Sequence, residues 1–229
     1  MNTGFIASLQ AERLPLKPYT ARYKIYLKGC PIGESVHQLT PLSKDLYRFA
    51  TGTQPYINIV PYRYFARSDF QFDSTSITPQ TYFYNTQEIR RSKIGEVNFN
   101  WKTQQLENRN ATPNWEAPLI QGMQDKLTHS LQLRIDLIQG KKQDLIYTVA
   151  EETKILPYSF SILCTEPLNT QIGTLTTIKI KHIDHKSQVT LTWLAIDYDY
   201  LPVKMEHYRH DKKVGNGEII AYTVSKSYN

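Results

Sequence analysis

The sequence predicts an all-β protein with one main helix, a curved antiparallel sheet forming a half-barrel or open barrel wrapped on a helix at 125–138. Three observations carry this. Short apolar-alternating runs recur at 8 to 12 residue spacing along most of the 229 residues. The segment DKLTHSLQLRIDLIQG, 125 to 140, alone reads firmly as helix. Aromatics are plentiful, with 16 Tyr, and such residues favour strands. A lone amphipathic helix among strands has to bury its stripe against a sheet.

In chain order, MNTGFIASLQAERLP opens with a small-residue stretch ending at Ala11, without a basic start or apolar core. It reads either as the last part of a signal peptide, residues 1 to 11, or as an ordinary frayed terminus. Residues 12 to 229 are expected to form one domain. Tyr19, Ala21, Tyr23, Ile25 and Leu27 alternate with polar neighbours as a half-buried strand, GCPIG (29 to 33) reads as its turn, and Glu34 to Thr40 as the return. Leu46 to Thr53 is a third strand. PYINIVPYRYF, 55 to 65, carries two prolines and suits an edge, an irregular loop or the lip of a cavity. Ala66 to Phe72, Gln80 to Asn85, Glu88 to Lys93 and Glu96 to Trp101 continue the meander, and Leu106 to Trp115 runs into the linker ATPNWEAP.

In the helix, Leu127, Leu131, Ile135 and Ile138 share one face, which Leu133 and Leu137 widen. Asp125 suits the N-cap and Gly140 the stop. Asp144 to Glu151 and Lys154 to Thr165 read as a hairpin, Thr174 to Ile183 and Gln188 to Ala195 as another. Pro202 to His210 and, after VGNG, Glu218 to Ser225 complete the sheet.

No run approaches ~18 apolar residues, so no transmembrane span is expected. A formal charge of +6 suits an anionic partner or simple solubility, and the basic stretches RRSK, KIKHIDHK and HYRHDKK contain no nucleic-acid motif. Nucleic acid is therefore not an expected partner. No cofactor motif is present, nor a G-x-S-x-G elbow or an H-E-x-x-H helix. Asp197 and Asp199 in IDYDY suit the bend before Pro202 better than a catalytic pair. His182 and His185 flank one hairpin turn and His207 and His210 end the next strand. These four are the metal-ligand candidates, since imidazole beside carboxylate suits zinc, copper or nickel. Against this, residues three apart on a strand point to opposite faces. The concave side of the sheet is the candidate site for a hydrophobic ligand. Its inward positions are Tyr23, Ile25, Phe70, Phe72, Tyr82, Tyr84, Phe99, Trp101, Leu191 and Trp193, though plain core is the better account of each, since most inward aromatics simply pack. Cys30 and Cys164 carry no spacing signature, and whether they pair stays open.

The stretches YTARYKIYLKGCPIGES, VNFNWK, DKLTHSLQLRIDL, YSFSI, IGTLTTIKIKH and TWLAIDYDYLPVKMEHY resemble, in order, a bacterial exported family catalogued as domain of unknown function 3108. The last block, W-L-A with an acidic and aromatic run before L-P-V, is the most specific. The resemblance covers nearly the whole chain from about Tyr19. It implies a signal peptide, a periplasmic or envelope location and an architecture similar to the half-barrels of LolA/LolB-like lipoprotein carriers. It implies no catalytic residues, and Cys30 stands where the family has a plain apolar residue, which argues against a family disulfide. The expectation is therefore a non-catalytic envelope protein binding a lipid or other hydrophobic ligand. The alternatives are an interaction protein of the envelope with a filled core and, behind it, a metal-dependent hydrolase.

Overall fold

In the computed structural model, which describes residues 16–56, 63–88, 91–110 and 114–225, the chain alternates between stiff extended runs and tight polar turns. The first half supplies β1 (Tyr19–Leu27), β2 (Cys30–Pro41), β3 (Leu46–Pro55), β4 (Arg63–Phe72), β5 (Ile77–Glu88), β6 (Arg91–Asn100), β7 (Gln105–Asn108), β8 (Trp115–Pro118) and β9 (Gln124–Asp125). Helix α1 (Thr128–Ile138) follows. Then come β10 (Leu145–Ala150), β11 (Ile155–Thr170), β12 (Gly173–Ile183), β13 (Val189–Ala195), β14 (Leu201–Arg209) and β15 (Lys212–Val224). Among the described residues the fifteen strands form one sheet, ordered β8 to β1, then β15 down to β9. Its two meanders are joined where β1 pairs with β15, and every pairing is antiparallel except the short one between β9 and β10.

The sheet is curved and unclosed, with β8 and β9 as its edges. Register shifts at Arg22/Tyr23, Asp69/Phe70, Ile162/Cys164, Trp193/Leu194 and His207/Tyr208 add the local twist that lets so wide a sheet coil. The coil brings edge strand β9 back against the first meander. There Gln124 Nε2 donates to the Ile77 carbonyl (2.9 Å) and Ser68 Oγ donates to Asp125 Oδ2.

The helix begins later than expected, at Thr128 with Leu127 before it, and Asp125 ties down the turn that enters it. Its Oδ1 accepts from the backbone N–H of Leu127 (2.7 Å) and Thr128 (2.9 Å), while Thr128 Oγ1 accepts from the Asp125 N–H (2.9 Å). Gly140, at φ +86°, ends the last turn. Ile138 departs from the expected stripe and is 38% exposed, because the helix runs out of the sheet there. The other apolar positions divide. Leu127, Leu131 and Ile135 join the larger core with Tyr19, Phe49, Phe70 and Tyr82, and Leu133 and Leu137 join a second cluster with Leu145, Val149, Ile178 and Leu194.

Several boundaries differ from the expected ones. The first turn is only Lys28–Gly29, both at positive φ, so Cys30 to Gly33 belongs to β2. Gly33 is needed because a Cβ there would strike the backbone of Gln54 and Pro55 on β3. Glu88 to Lys93 is not a separate strand; it straddles the β5–β6 connection, whose residues 89–90 lie outside the described ones. Trp115 to Pro118, expected as linker, is edge strand β8. Of the proline-rich stretch, residues 57–62 lie outside the described ones, while Arg63, Tyr64 and Phe65 are part of β4, which is paired on both sides. The segment read as a signal remnant also lies outside the described residues.

Between the two clusters, α1 turns polar side chains inward as well. Gln132 Oε1 accepts from the Ile77 N–H (2.8 Å) and its Nε2 donates to Asp136 (2.7 Å), which also accepts from the Tyr147 hydroxyl (2.8 Å). Arg134 donates from Nε to the Asp199 carbonyl (2.9 Å) and from a terminal nitrogen to the Tyr19 hydroxyl (3.1 Å), over whose ring it lies. Asp199 and Tyr200 are both left-handed, so Asp197 and Asp199 sit in the bend before Pro202. Truncating Arg134 strands the buried Tyr19 hydroxyl and the Asp199 carbonyl. Arg134→Ala is expected to lose about 2–4 kcal/mol in urea unfolding, and an unchanged midpoint would show that the bend stands without it.

Candidate functional site

The sheet's concave side is filled on one flank of the helix and open on the other. On the first meander, Tyr82 and Tyr84 stack at 5.8 Å, Tyr47 and Phe70 at 5.9 Å, and Phe99 and Trp101 at 6.4 Å. On the other flank, the outer side of α1 faces β11 to β14 across a cavity of about 360 Å³. The helix contributes His129, Ser130 and Leu133. The strands contribute Tyr158 and Phe160 from β11, Ile180 and His182 from β12, Thr190, Thr192 and Leu194 from β13, and Pro202, Met205 and His207 from β14. The space exists because Ser130, Thr190 and Thr192 are too short to fill it, and the alternating residues of β13 that could do so point to the other face.

One wall of the cavity is a ring cluster. His129 stands edge-on to Tyr158 (4.9 Å) and parallel to Phe160 (5.9 Å), and His182 covers the same pair at 4.8 and 5.1 Å. His129 and His182 both direct Nδ1 at backbone carbonyls, of Asp125 (3.2 Å) and Ser159 (3.0 Å). A carbonyl only accepts, so Nδ1 carries a proton in each ring. Burial pushes the His129 imidazole down to about 4, so it is neutral at physiological pH. Burial, reinforced by the Glu151 carboxylate that accepts from the Tyr158 hydroxyl (2.7 Å), raises that phenol well out of reach of titration. Asp184 at the rim is engaged by its own turn, its Oδ1 accepting from the N–H of Lys186 and Gln188 at 2.8 Å each.

Of the ten residues read as ligand-lining, Tyr23, Phe70, Phe72, Tyr82, Tyr84, Phe99 and Trp193 are buried in the larger core, and Ile25, Trp101 and Leu191 pack against it. None lines the cavity beside α1. Tyr23 donates to the Pro202 carbonyl (2.8 Å), and Tyr84 lies over Gly95 so closely that a Cβ there would overlap its ring. Phe99 and Trp101 also border a shallow polar depression with Gln71, Asn98 and Lys102. Leu191 and Trp193 occupy the face of β13 opposite Thr190 and Thr192. There Trp193 donates to Glu166 Oε1 (2.5 Å) between the ammonium groups of Lys179 and Lys204.

Of the four histidines read as metal ligands, His182 and His207 enter the cavity, His207 bonded to Thr190 Oγ1 (3.0 Å). His185 lies outside it beside Lys154, and His210 is exposed in the left-handed turn after β14. Among the described residues no three His, Cys, Asp or Glu side chains converge as a metal ion requires. Cys30 and Cys164 are both free and exposed. His129 escaped the sequence reading because it sits between apolar helix positions, where the helical period alone does not reveal a second buried side.

The β-barrel-like protein of domain of unknown function DUF1849 from Brucella abortus is similar in fold, with a TM-score of 0.58 at 12% identity over 93% of this chain and 100% of that one. A protein described as exported, with a YmcC-like fold, from Bacteroides fragilis aligns at TM-score 0.41 and 8% identity over 90% of this chain and 96% of its own. A domain described as outer membrane lipoprotein-sorting, from Vibrio parahaemolyticus, aligns at 0.26 and 11% over 93% and 87%. Scores this low establish no shared fold. No curated protein matches the chain. A family model described as a protein of unknown function, DUF3108, matches residues 22–219.

His129 has its folded pKa near 4, below the ~6.5 of an exposed imidazole, and buried His37 is likewise pushed down to about 4. Their contribution is therefore complete above pH 6.5 and is lost as pH falls from there towards 4. His129→Gln is expected to flatten the stability slope in that window by about 1 kcal/mol per pH unit. Urea titrations from pH 7 to 4.5 measure it, and an identical slope would contradict the assignment of His129 as a neutral, desolvated group.

Proposed function

The chain belongs to the DUF3108 family, and from that premise we propose that it is a non-catalytic protein of the bacterial cell envelope, acting in the periplasm. Residues 12 to 229 form one domain, and a lipid or other hydrophobic ligand occupies the cavity between α1 and β11 to β14. The observation that carries the reading is this cavity. Its walls are Leu133, Phe160, Ile180, Leu194 and Met205 with a rim of threonines and imidazoles, while the inward rings of the first meander, such as Phe70, Tyr82 and Phe99, pack in the larger core. A mostly apolar concavity with a few placed polar groups is what small hydrophobic ligands occupy. At about 360 Å³ it lies near the lower end of the ~300–1,000 Å³ range of ligand pockets, which fits one acyl chain or a compact apolar group.

The neutral dye 1-N-phenylnaphthylamine, which fluoresces in apolar surroundings, tests this directly. The protein is expected to bind it, and Thr192→Trp, which fills the cavity from β13, to weaken binding about tenfold or more without loss of the folded state by circular dichroism. Equal affinity in the two proteins, or no binding by the unaltered one, would sink the reading.

A further inference from the structure

A second cavity, of about 390 Å³, adjoins the first and differs from it in chemistry. Lys93, Lys126, Lys154 and Lys186 face Glu151 and Glu152 across it, so four ammonium groups meet two carboxylates and two positive charges remain in excess. Glu152 accepts from Lys126 (3.2 Å) and lies 3.9 Å from Lys93. Glu151 is taken by the Tyr158 hydroxyl and stands 4.0 Å from Lys154. Among the described residues no carboxylate comes within ion-pair distance of Lys186. An anion entering here would complete the coordination of cations already gathered, which is the setting in which charge-assisted hydrogen bonds are strongest.

The two cavities share walls from three elements, to which β14 adds Pro202, Met205 and His207 on the apolar side and the first meander adds Tyr64, Thr86 and Lys93 on the basic side. The start of the helix gives His129 and Ser130 to the apolar one and Lys126, just before it, to the basic one. Strand β11 and the turn before it give Tyr158 and Phe160 to the first and Lys154 to the second. The turn between β12 and β13 gives Asp184 and Gln188 to the first, His185 and Lys186 to the second. Tyr158 is the shared wall, its ring facing the apolar space and its hydroxyl bonded to Glu151 of the basic one. An apolar slot opening beside a cationic one matches a molecule with an apolar tail and an anionic head.

We propose that the basic cavity receives the headgroup of the ligand whose chain lies beside α1, so that the protein binds single-chain amphiphiles bearing a phosphate or carboxylate. This rests on the reading of the apolar cavity as a ligand site. Lysine ammonium groups act as point charges, so the site discriminates by charge more than by headgroup shape.

Displacement of 1-N-phenylnaphthylamine tests it with three competitors, namely palmitoyl lysophosphatidic acid, uncharged monopalmitin of the same chain, and inorganic phosphate. In low salt the lysophosphatidic acid is expected to compete about tenfold better than monopalmitin. The double variant Lys154→Gln/Lys186→Gln, altered at exposed side chains, should remove that advantage and leave monopalmitin unaffected. Equal competition by the two lipids in the unaltered protein overturns the headgroup site and leaves the apolar cavity standing. Failure of both lipids overturns the cavity reading as well. Phosphate that binds calorimetrically as tightly as the lysophosphatidic acid would make this a free-anion site and overturn the link to the chain.

Discussion

The fold depends on a helix that is wet along very little of its surface. Eight of the eleven residues of α1 are buried, far more than an amphipathic helix lying on one sheet face would hide. Two apolar stripes result, Leu131 and Ile135 towards the first meander and Leu133 and Leu137 towards the second. The residues between them, Gln132, Arg134 and Asp136, are nearly buried and draw most of their partners from inside. They find Ile77, Tyr147, Tyr19 and the Asp199 carbonyl, contributed by strands on both flanks and by the bend before β14. A sheet holding both flanks of one helix has to coil around it, and the bulges supply the bending.

A helix held in this way divides the concave space, and the two parts differ because their side chains differ. The first meander sends large rings inward that pack against Leu131 and Ile135 of the helix. The second sends Thr190 and Thr192 towards Ser130 and Leu133 of the helix, and short hydroxyl side chains leave a gap that apolar neighbours keep from collapsing. The cavity is thus a consequence of residue size on one face of β13 combined with a helix fixed from elsewhere. The cavity lining and the larger core draw on different residues of the same strand.

Much of the architecture was legible in the sequence. The helix and Asp125 at its entry follow from period and polarity, and so do the alternation in β1 and the hairpins of the second half. The position of the cavity was not legible. Period-two alternation says which residues of β13 share a face, but not which face looks inward. Hydrophobicity favoured Leu191 and Trp193, yet Trp193 is shielded by the stems of Lys179 and Lys204 and by Glu166, partners set by pairing across three strands. The histidines misled for a related reason. His182 and His207 stand on either side of Thr190, two strands apart on one face, while His185 and His210 fall in turns, a separation created by the register of β12 to β14. The basic stretches read singly as solvated faces, and only the coiling of the sheet brings Lys93 of β6 beside Lys126, Lys154 and Lys186.

The block TWLAIDYDYLPVKMEHY shows how one stretch serves both ends. Trp193, Leu201 and Val203 enter the larger core, and Asp199 offers its carbonyl to Arg134 from a left-handed bend. Thr192, Leu194, Pro202, Met205 and His207 line the cavity. The bulge at Trp193/Leu194 and the left-handed pair Asp199–Tyr200 set the relative phase of β13 and β14. If that phase slipped by one residue, every side chain of β14 would exchange faces, putting Val203 into the cavity and Met205 and His207 on the far side. The acidic residues of the bend do not line the cavity; they precede the strand that does. Asp184, the carboxylate that lines the cavity, comes instead from the turn between β12 and β13, where its Oδ1 accepts from the N–H of Lys186 and Gln188.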